Sequence, residues 1–186
     1  MVSLKVKDCS IPGLKVFEPQ VFGDSRGFFL ESFNEERYAP FIGDVKFVQD
    51  NVSKSSKGVL RGMHFQTNNP QGKLVRVVEG EVLDYAVDVR EGSETFGQYD
   101  GVVLSAKRHN QFWIPPGFAH GFLVLSDEAI FEYKCTEYYD PTSEKSLAWW
   151  DETVNIDWGF DLIGEGFEPI VSDKDKNALT LEELFK

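Results

Sequence analysis

The chain is poor in sulfur chemistry. Its 186 residues hold two cysteines, Cys9 and Cys135, which have neither zinc or redox spacing nor the number needed for a disulfide framework. A fold resting on its apolar core in a reducing compartment is expected. Long apolar runs are missing too, since none approaches the ~20 residues that cross a bilayer. The opening MVSLKVKDCS is broken by Lys5, Lys7 and Asp8, so no export signal is read there and a cytoplasmic location is expected. Basic charge is scarce, with 19 Lys and Arg against 31 Asp and Glu, for a net charge of −12. That balance repels nucleic acid and anionic membranes, so any anionic ligand must find a local basic pocket. No repeat, linker or low-complexity segment divides the chain, whose length suits one domain, residues 1–186.

Aromatic residues are plentiful at 14%. Val, Ile and Phe recur in short alternating runs between Gly, Pro, Asn and Asp, the pattern of a mainly β protein. Strands are predicted over 14–22, 27–33, 45–53, 58–66, 73–79, 81–89, 96–105, 110–114, 118–125 and 129–139. FGDSRGF, NNPQGK, VEGEV and IPPGFA supply the turns. NEERYAPF and TLEELF read as short peripheral helices, the second a packed or frayed tail. A strand about every ten residues points to a sandwich, jelly roll or small barrel.

The stretch GVLRGMHFQ sets His64 among glycines and apolar residues. Period-two counting puts Leu60, Gly62, His64 and Gln66 on one strand face, and a bulge at Gly62 would bring Arg61 round beside His64. FVQDN places Phe47, Gln49 and Asn51 together; GFAHGFLVL aligns His120 with Phe118, Phe122 and Val124; AIFEYKC aligns Tyr133 with Phe131 and Cys135. Each strip is apolar with a polar intruder, the picture of a barrel with a packed end and a mouth that holds a site. Taken singly, each residue has a plainer explanation. An inward His64 or His120 can be a hydrogen-bonded core group, Tyr133 core, Lys73 a solvated strand end, and Gln49 with Asn51 a cross-strand polar pair. Arg26 would be a turn residue, Glu31 an exposed strand charge, and Asp84 and Asp88 the solvated side of their strand. Only the joint occurrence favours a site.

The block from Gly58 through His64, Gln66, Lys73 and Gly80, followed by PPGFAH, resembles the two signature motifs of the cupin superfamily of small β-barrels. Metal-binding cupins supply two histidines and a glutamate from the first motif and a histidine from the second. Here Gln66 takes the second histidine position and Lys73 the glutamate position, after a longer loop. His64 and His120 remain as the only good ligands, too few for zinc or iron, and Lys73 would repel a divalent ion. A base, a cation and an amide suit proton transfer on a substrate that becomes an anion. A neutral imidazole can remove a proton beside a ketone, an ammonium can neutralise the enolate oxygen, and a tyrosine opposite can return the proton to the other face.

The segments GDSRGFFLESF, FVQDN, GVLRGMHFQ, QGKLVRVVEGEVLDYAVDVR, FWIPPGFAHGF, YKCTEYYDP and SDKDKN, in order from about residue 11 to 177, resemble the dTDP-4-dehydrorhamnose 3,5-epimerase family. The resemblance implies a cupin-type jelly-roll homodimer with no metal and no cofactor. Its reaction would be epimerisation at C3 and C5 of dTDP-4-dehydro-6-deoxy-D-glucose to dTDP-4-dehydro-L-rhamnose, a step toward dTDP-L-rhamnose. It implies His64 as base, oriented by Asp175, Tyr133 as acid and Lys73 facing the ketone oxygen. It further implies Arg26, Glu31, Gln49, Asp50, Asn51, Arg61, His120, Glu144 and Lys174 as substrate-binding residues, with Tyr139 stacked on thymine. The strand with Arg26 and Glu31 would reach toward a partner subunit. The sequence departs from the family after NIDW, where GFDLIGEGFEP replaces the usual proline, so Asp84 stands as an alternative carboxylate for His64. Two other functions fit the motifs: an epimerase acting at C3 only on a related nucleotide 4-keto-6-deoxy sugar, and a non-catalytic cupin that binds sugars or nucleotides.

Overall fold

A computed structural model of the chain describes residues 3–164 and 166–186; Glu165, within the divergent GFDLIGEGFEP stretch, lies outside the described residues, as do Met1 and Val2. Among the described residues thirteen strands run in chain order: β1 (Leu4–Asp8), β2 (Lys15–Pro19), β3 (Val21–Asp24), β4 (Gly27–Leu30), β5 (Gln49–Ser56), β6 (Leu60–Gln66), β7 (Lys73–Glu79), β8 (Glu81–Asp88), β9 (Tyr99–Ser105), β10 (Gln111–Ile114), β11 (Phe118–Val124), β12 (Glu128–Cys135) and β13 (Glu144–Ser146). Three short helices, α1 (Glu35–Ile42), α2 (Asp173–Lys176) and α3 (Leu181–Leu184), lie outside the strands. Two antiparallel sheets, ordered β1-β2-β10-β7-β12-β5 and β13-β6-β11-β8-β9, form the jelly-roll sandwich of a cupin, and β3 and β4 make a separate hairpin.

Alternation sorts the side chains into three cores. Val75 and Val77 of β7 and Phe131 of β12 meet Val82 and Ala86 of β8 and Phe118, Phe122 and Val124 of β11 between the sheets. Phe122 and Phe131 stack across this interior with ring centroids 4.2 Å apart. Each such fully buried aromatic stabilises the fold by roughly 1.5–3 kcal/mol. On the far side of the five-stranded sheet, Leu60, Met63, Phe65, Tyr85, Val87 and Leu123 are covered by Leu147, Val154, Trp158 and Leu181. The C-terminal segment therefore straps the sheet's outer face. Under α1, Tyr38 packs on Phe17, Leu74 and Trp113 of the six-stranded sheet. That helix starts at Asn34, whose side chain caps Arg37 N–H, and stops at Gly43, which adopts φ 84°.

The structure corrects two sequence readings of sides. Asp84 and Asp88 are fully buried, because they alternate with Val82 and Ala86 on the inner face of the five-stranded sheet, which the other sheet covers. Leu60 packs in the outer core, away from His64, because β6 carries an extra residue. His64 pairs with His120 but Arg61 pairs with Phe122, so three steps on β6 match two on β11. The expected bulge at Gly62 is present, and it turns Arg61 to the same side as His64. It requires close approach, since a Cβ at Gly121 would lie 2.6 Å from Met63 Sδ and 2.7 Å from the Arg61 carbonyl. Gly121→Ala should therefore push β6 from β11 and lower stability by about 1–3 kcal/mol. Urea unfolding checks this, and an unchanged midpoint would remove the close-packing argument.

Candidate active site

One cavity of about 570 Å³ opens between the sheets and the strap. Arg61 and His64 of β6 and His120 and Phe122 of β11 form one wall, and Lys73 of β7 and Phe131 and Tyr133 of β12 form the other. Ile170, Val171, Ser172, Lys174 and Asp175 of the strap close the third side. A larger concavity, of about 910 Å³, lies between the edges of β1, β2 and β9, lined by Lys5, Lys7 and Arg108. Its lining contains neither histidine nor tyrosine, so the smaller cavity is the candidate for proton chemistry.

His64 Nε2 lies 2.6 Å from Asp175 Oδ1. Asp175 is buried, and Ser172 caps α2 by accepting from its N–H, a Ser-x-x-Asp start that the sequence carries but that the apolar pattern hid. Burial alone would raise the Asp175 pKa, yet the hydrogen bonds from His64 and from the Gly62 backbone hold it below the usual carboxylate range. An anionic partner at Nε2 fixes the Nε2–H tautomer and leaves Nδ1 as the basic nitrogen. Asp84, the alternative partner, sits instead on His120, with its oxygens 2.9 and 3.0 Å from His120 Nε2. Burial lowers the pKa of His120, opposed by Asp84, which favours the neutral ring.

Across the cavity, the ladder β7-β12-β5 sets the side chains in rows. Lys73, Cys135 and Gln49 are direct partners, as are Val75, Tyr133 and Asn51. Burial lowers the Lys73 pKa, while Cys135, Glu144 and Asp84 act against it. No hydrogen bond or ion pair to its ammonium is found among the described residues. Burial raises the Tyr133 pKa, which keeps the phenol protonated and able to donate.

The remaining predicted residues divide in two. Gln49, Asn51, Tyr139 and Glu144 are absent from the cavity lining but join one network that reaches it at Lys174: Gln49 accepts from Tyr139 N–H at 2.9 Å and donates to Asn51, Tyr139 Oη donates to Glu144 at 2.9 Å, and Glu144 binds Lys174 Nζ at 2.6 Å. Gln66, at the cupin ligand position, donates to the Asn69 and Tyr138 carbonyls and accepts from Asp140 N–H, stapling together the two loops that hold them. Among the described residues no three His, Cys, Asp or Glu groups are arranged to hold a metal ion. Arg26, Glu31 and Asp50 do not line the cavity. Asp50 alternates onto the outer face of β5 and pairs with Lys134 at 3.0 Å. Arg26 pairs with Asp24 at the tip of the β3–β4 hairpin, and Glu31 pairs with Arg37 at 3.0 Å. Sequence reasoning missed the wall formed by Ile170, Val171 and Ser172, which carry no catalytic side chain and no strand period.

Asp175 and Glu144 both have folded pKa values below their ordinary ones. Their stabilisation is therefore full above the unfolded carboxylate pKa and is lost as pH falls through the folded value, a window below about pH 4. Asp175→Asn removes one such group. Its thermal midpoint should differ most from wild type near neutrality, with the gap closing in acid; a gap that stays constant with pH would contradict the assigned pairing.

The chain matches the profile of the family described as dTDP-4-dehydrorhamnose 3,5-epimerase over residues 8–183. It is 53% identical to the dTDP-4-dehydrorhamnose 3,5-epimerase of Salmonella typhimurium, covering 94% of this chain and 93% of that one. The Neisseria gonorrhoeae enzyme of the same name is 52% identical over 98% of this chain, which spans only 54% of that relative's length. The structure of dTDP-6-deoxy-D-glucose-3,5-epimerase RmlC from Legionella pneumophila, in complex with dTDP-4-keto-L-rhamnose, superposes with a TM-score of 0.92 at 51% identity, covering 97% and 94% of the two chains. With this fold, these motifs in this order and relatives matched along nearly its whole length, the chain belongs to the dTDP-4-dehydrorhamnose 3,5-epimerase family.

Proposed function

We propose that the protein epimerises C3 and C5 of dTDP-4-dehydro-6-deoxy-D-glucose, giving dTDP-4-dehydro-L-rhamnose in dTDP-L-rhamnose biosynthesis. The observation that carries this reading is the position of the two proton-transfer groups on opposite sheets, His64 on β6 and Tyr133 on β12, facing one cavity. A base and an acid on one wall could only return a proton to the face it left. On two walls they invert the carbon.

His64 Nδ1 takes the proton from the carbon beside the C4 ketone, and the C–H electron pair moves into the enolate. Asp175 stabilises the imidazolium that results. The enolate oxygen meets the Lys73 ammonium, whose donors are uncommitted and whose surroundings are dry enough to make the interaction strong. Tyr133 delivers a proton to the opposite face. Arg61 stands at the cavity edge, where its guanidinium suits a diphosphate, and Tyr139 offers its ring to the nucleobase beside Gln49, Asn51 and Glu144.

Arg26 and Glu31 fit this reading through a homodimer. Phe22, Phe28 and Phe29 of their hairpin are 44, 63 and 68% exposed, a face suited to a second copy, which would bring both residues to its neighbour's cavity mouth. Asp50 belongs with that outer surface. The assembly and its cytoplasmic location are part of the same proposal.

In deuterium oxide, without added metal, the protein should place deuterium at both C3 and C5 of dTDP-4-dehydro-6-deoxy-D-glucose. Label at C3 alone would identify a narrower epimerase, and nucleotide binding without label a binding module. His64→Asn should keep its thermal midpoint and dTDP affinity while exchange falls about 10²–10⁴-fold; loss of folding would mark His64 as a core residue instead.

A further inference from the structure

Behind the cavity wall lies a carboxylate to which the chemistry above gives no task. Asp84 has no exposed surface and does not line the cavity. Besides Asp175, which holds His64, the other buried acids among the described residues serve the backbone or a loop. Asp88 accepts from Arg90, Ser93 and Thr95, and Asp151 caps Thr153, Val154 and Leu181 N–H groups. Asp84 accepts from none of these. Its hydrogen bonds among the described residues run only to His120 Nε2, at 2.9 and 3.0 Å. Register explains the contact, since Asp84 pairs with Phe122 on β11 and His120 stands two residues along on the same inner face. A buried carboxylate with so few donors is costly to keep. Burial raises its pKa, and His120 and then Lys73, on the facing sheet, act against that rise and favour the charged form.

We propose that Asp84 is a positioning residue for the reaction: out of reach of the substrate, it fixes His120 with Nε2–H turned inward and supplies the fixed negative charge that balances the Lys73 ammonium. The inference rests on the epimerase reading of the same cavity. Three consequences follow from the geometry. His120 Nδ1, without a partner among the described residues, becomes a hydrogen-bond acceptor for a sugar hydroxyl. Asp84 is hydrogen-bonded to His120 and not to Lys73, so the Lys73 donors stay free for the enolate oxygen, which a direct ion pair would have occupied. The charge of Asp84 also opposes the burial that pulls the Lys73 pKa down.

The groups facing Lys73 single out Asp84 for this last role. Cys135 is held neutral, since burial raises its thiol pKa. Glu144 is bound to Lys174 at 2.6 Å, and Lys174 itself lowers the Lys73 pKa. Around His120, Asp84 raises the pKa while burial, Lys73 and His64 lower it. Asp84→Asn keeps the shape and removes the charge, so Lys73 should lose its proton at lower pH. The alkaline limb of kcat/KM for deuterium exchange is expected to move down by about one pH unit, with the thermal midpoint and dTDP affinity little changed. A limb that does not move overturns the proposal. Nitrogen-15 NMR of histidine-labelled wild-type protein gives a second reading that needs no variant of Asp84. His120, assigned by the signals lost in His120→Gln, should be neutral with the proton on Nε2 from about pH 6 to 9. A proton on Nδ1, or an imidazolium, overturns the proposal even where Asp84→Asn does not fold. Wild-type protein that exchanges no label would instead sink the epimerase reading and leave the Asp84–His120 pairing to the NMR result.

Discussion

Burial of the five-stranded sheet on both faces is the constraint from which the site follows. Its inner face meets the other sheet, and its outer face, with Met63, Tyr85, Ala119 and Leu123, needs a cover of its own. The C-terminal strap provides it through Leu147, Trp158 and Leu181. Ile170 joins beside Val59, accepting from Leu60 N–H and donating to the Gly58 carbonyl, and the chain then turns into α2. The segment that covers apolar surface is thus the one that delivers Asp175 to His64. Stability and proton chemistry share a single piece of chain.

The regular parts of the fold were readable because period two is a local property. β7 runs Lys73–Glu79 as predicted, bounded by Gly72 and a Gly80 at φ 81°. β1, an exposed edge strand with alternating lysines, lacks the apolar density that marks a strand, and β13 is the tripeptide Glu-Lys-Ser. β12 ends at Cys135, short of the predicted 139, because the chain leaves the ladder to carry Tyr138 and Tyr139 outward. Which of the histidines took which carboxylate was not readable. Asp175 is 111 residues from His64, beyond the reach of any periodicity, and its pairing came only through family resemblance. Asp84 was misjudged for the opposite reason, since alternation reports which residues share a face and never whether that face is wet.

An acidic chain holding an anionic ligand is a contradiction only on average. The net charge of −12 is spread over exposed Asp and Glu, whereas Arg61, Lys73 and Lys174 line one cavity with Asp175 and, behind it, Asp84. Within a Debye length of about 8 Å the local set decides the field, and distant acids are screened. Lysine rather than arginine at position 73 suits this arrangement, because a compact ammonium can be partly stripped of water and still direct its donors to one oxygen.

Gln66 holds the position where a metal-binding cupin has a histidine, and its amide is instead tied to Asn69, Tyr138 and Asp140. Those three bonds lock the two loops together. Tyr139, between Tyr138 and Asp140, therefore stands on a platform whose backbone entropy was given up during folding, which leaves little ordering for any ligand that binds there. An amide at this position has exchanged the grip on an ion for a rigid doorway.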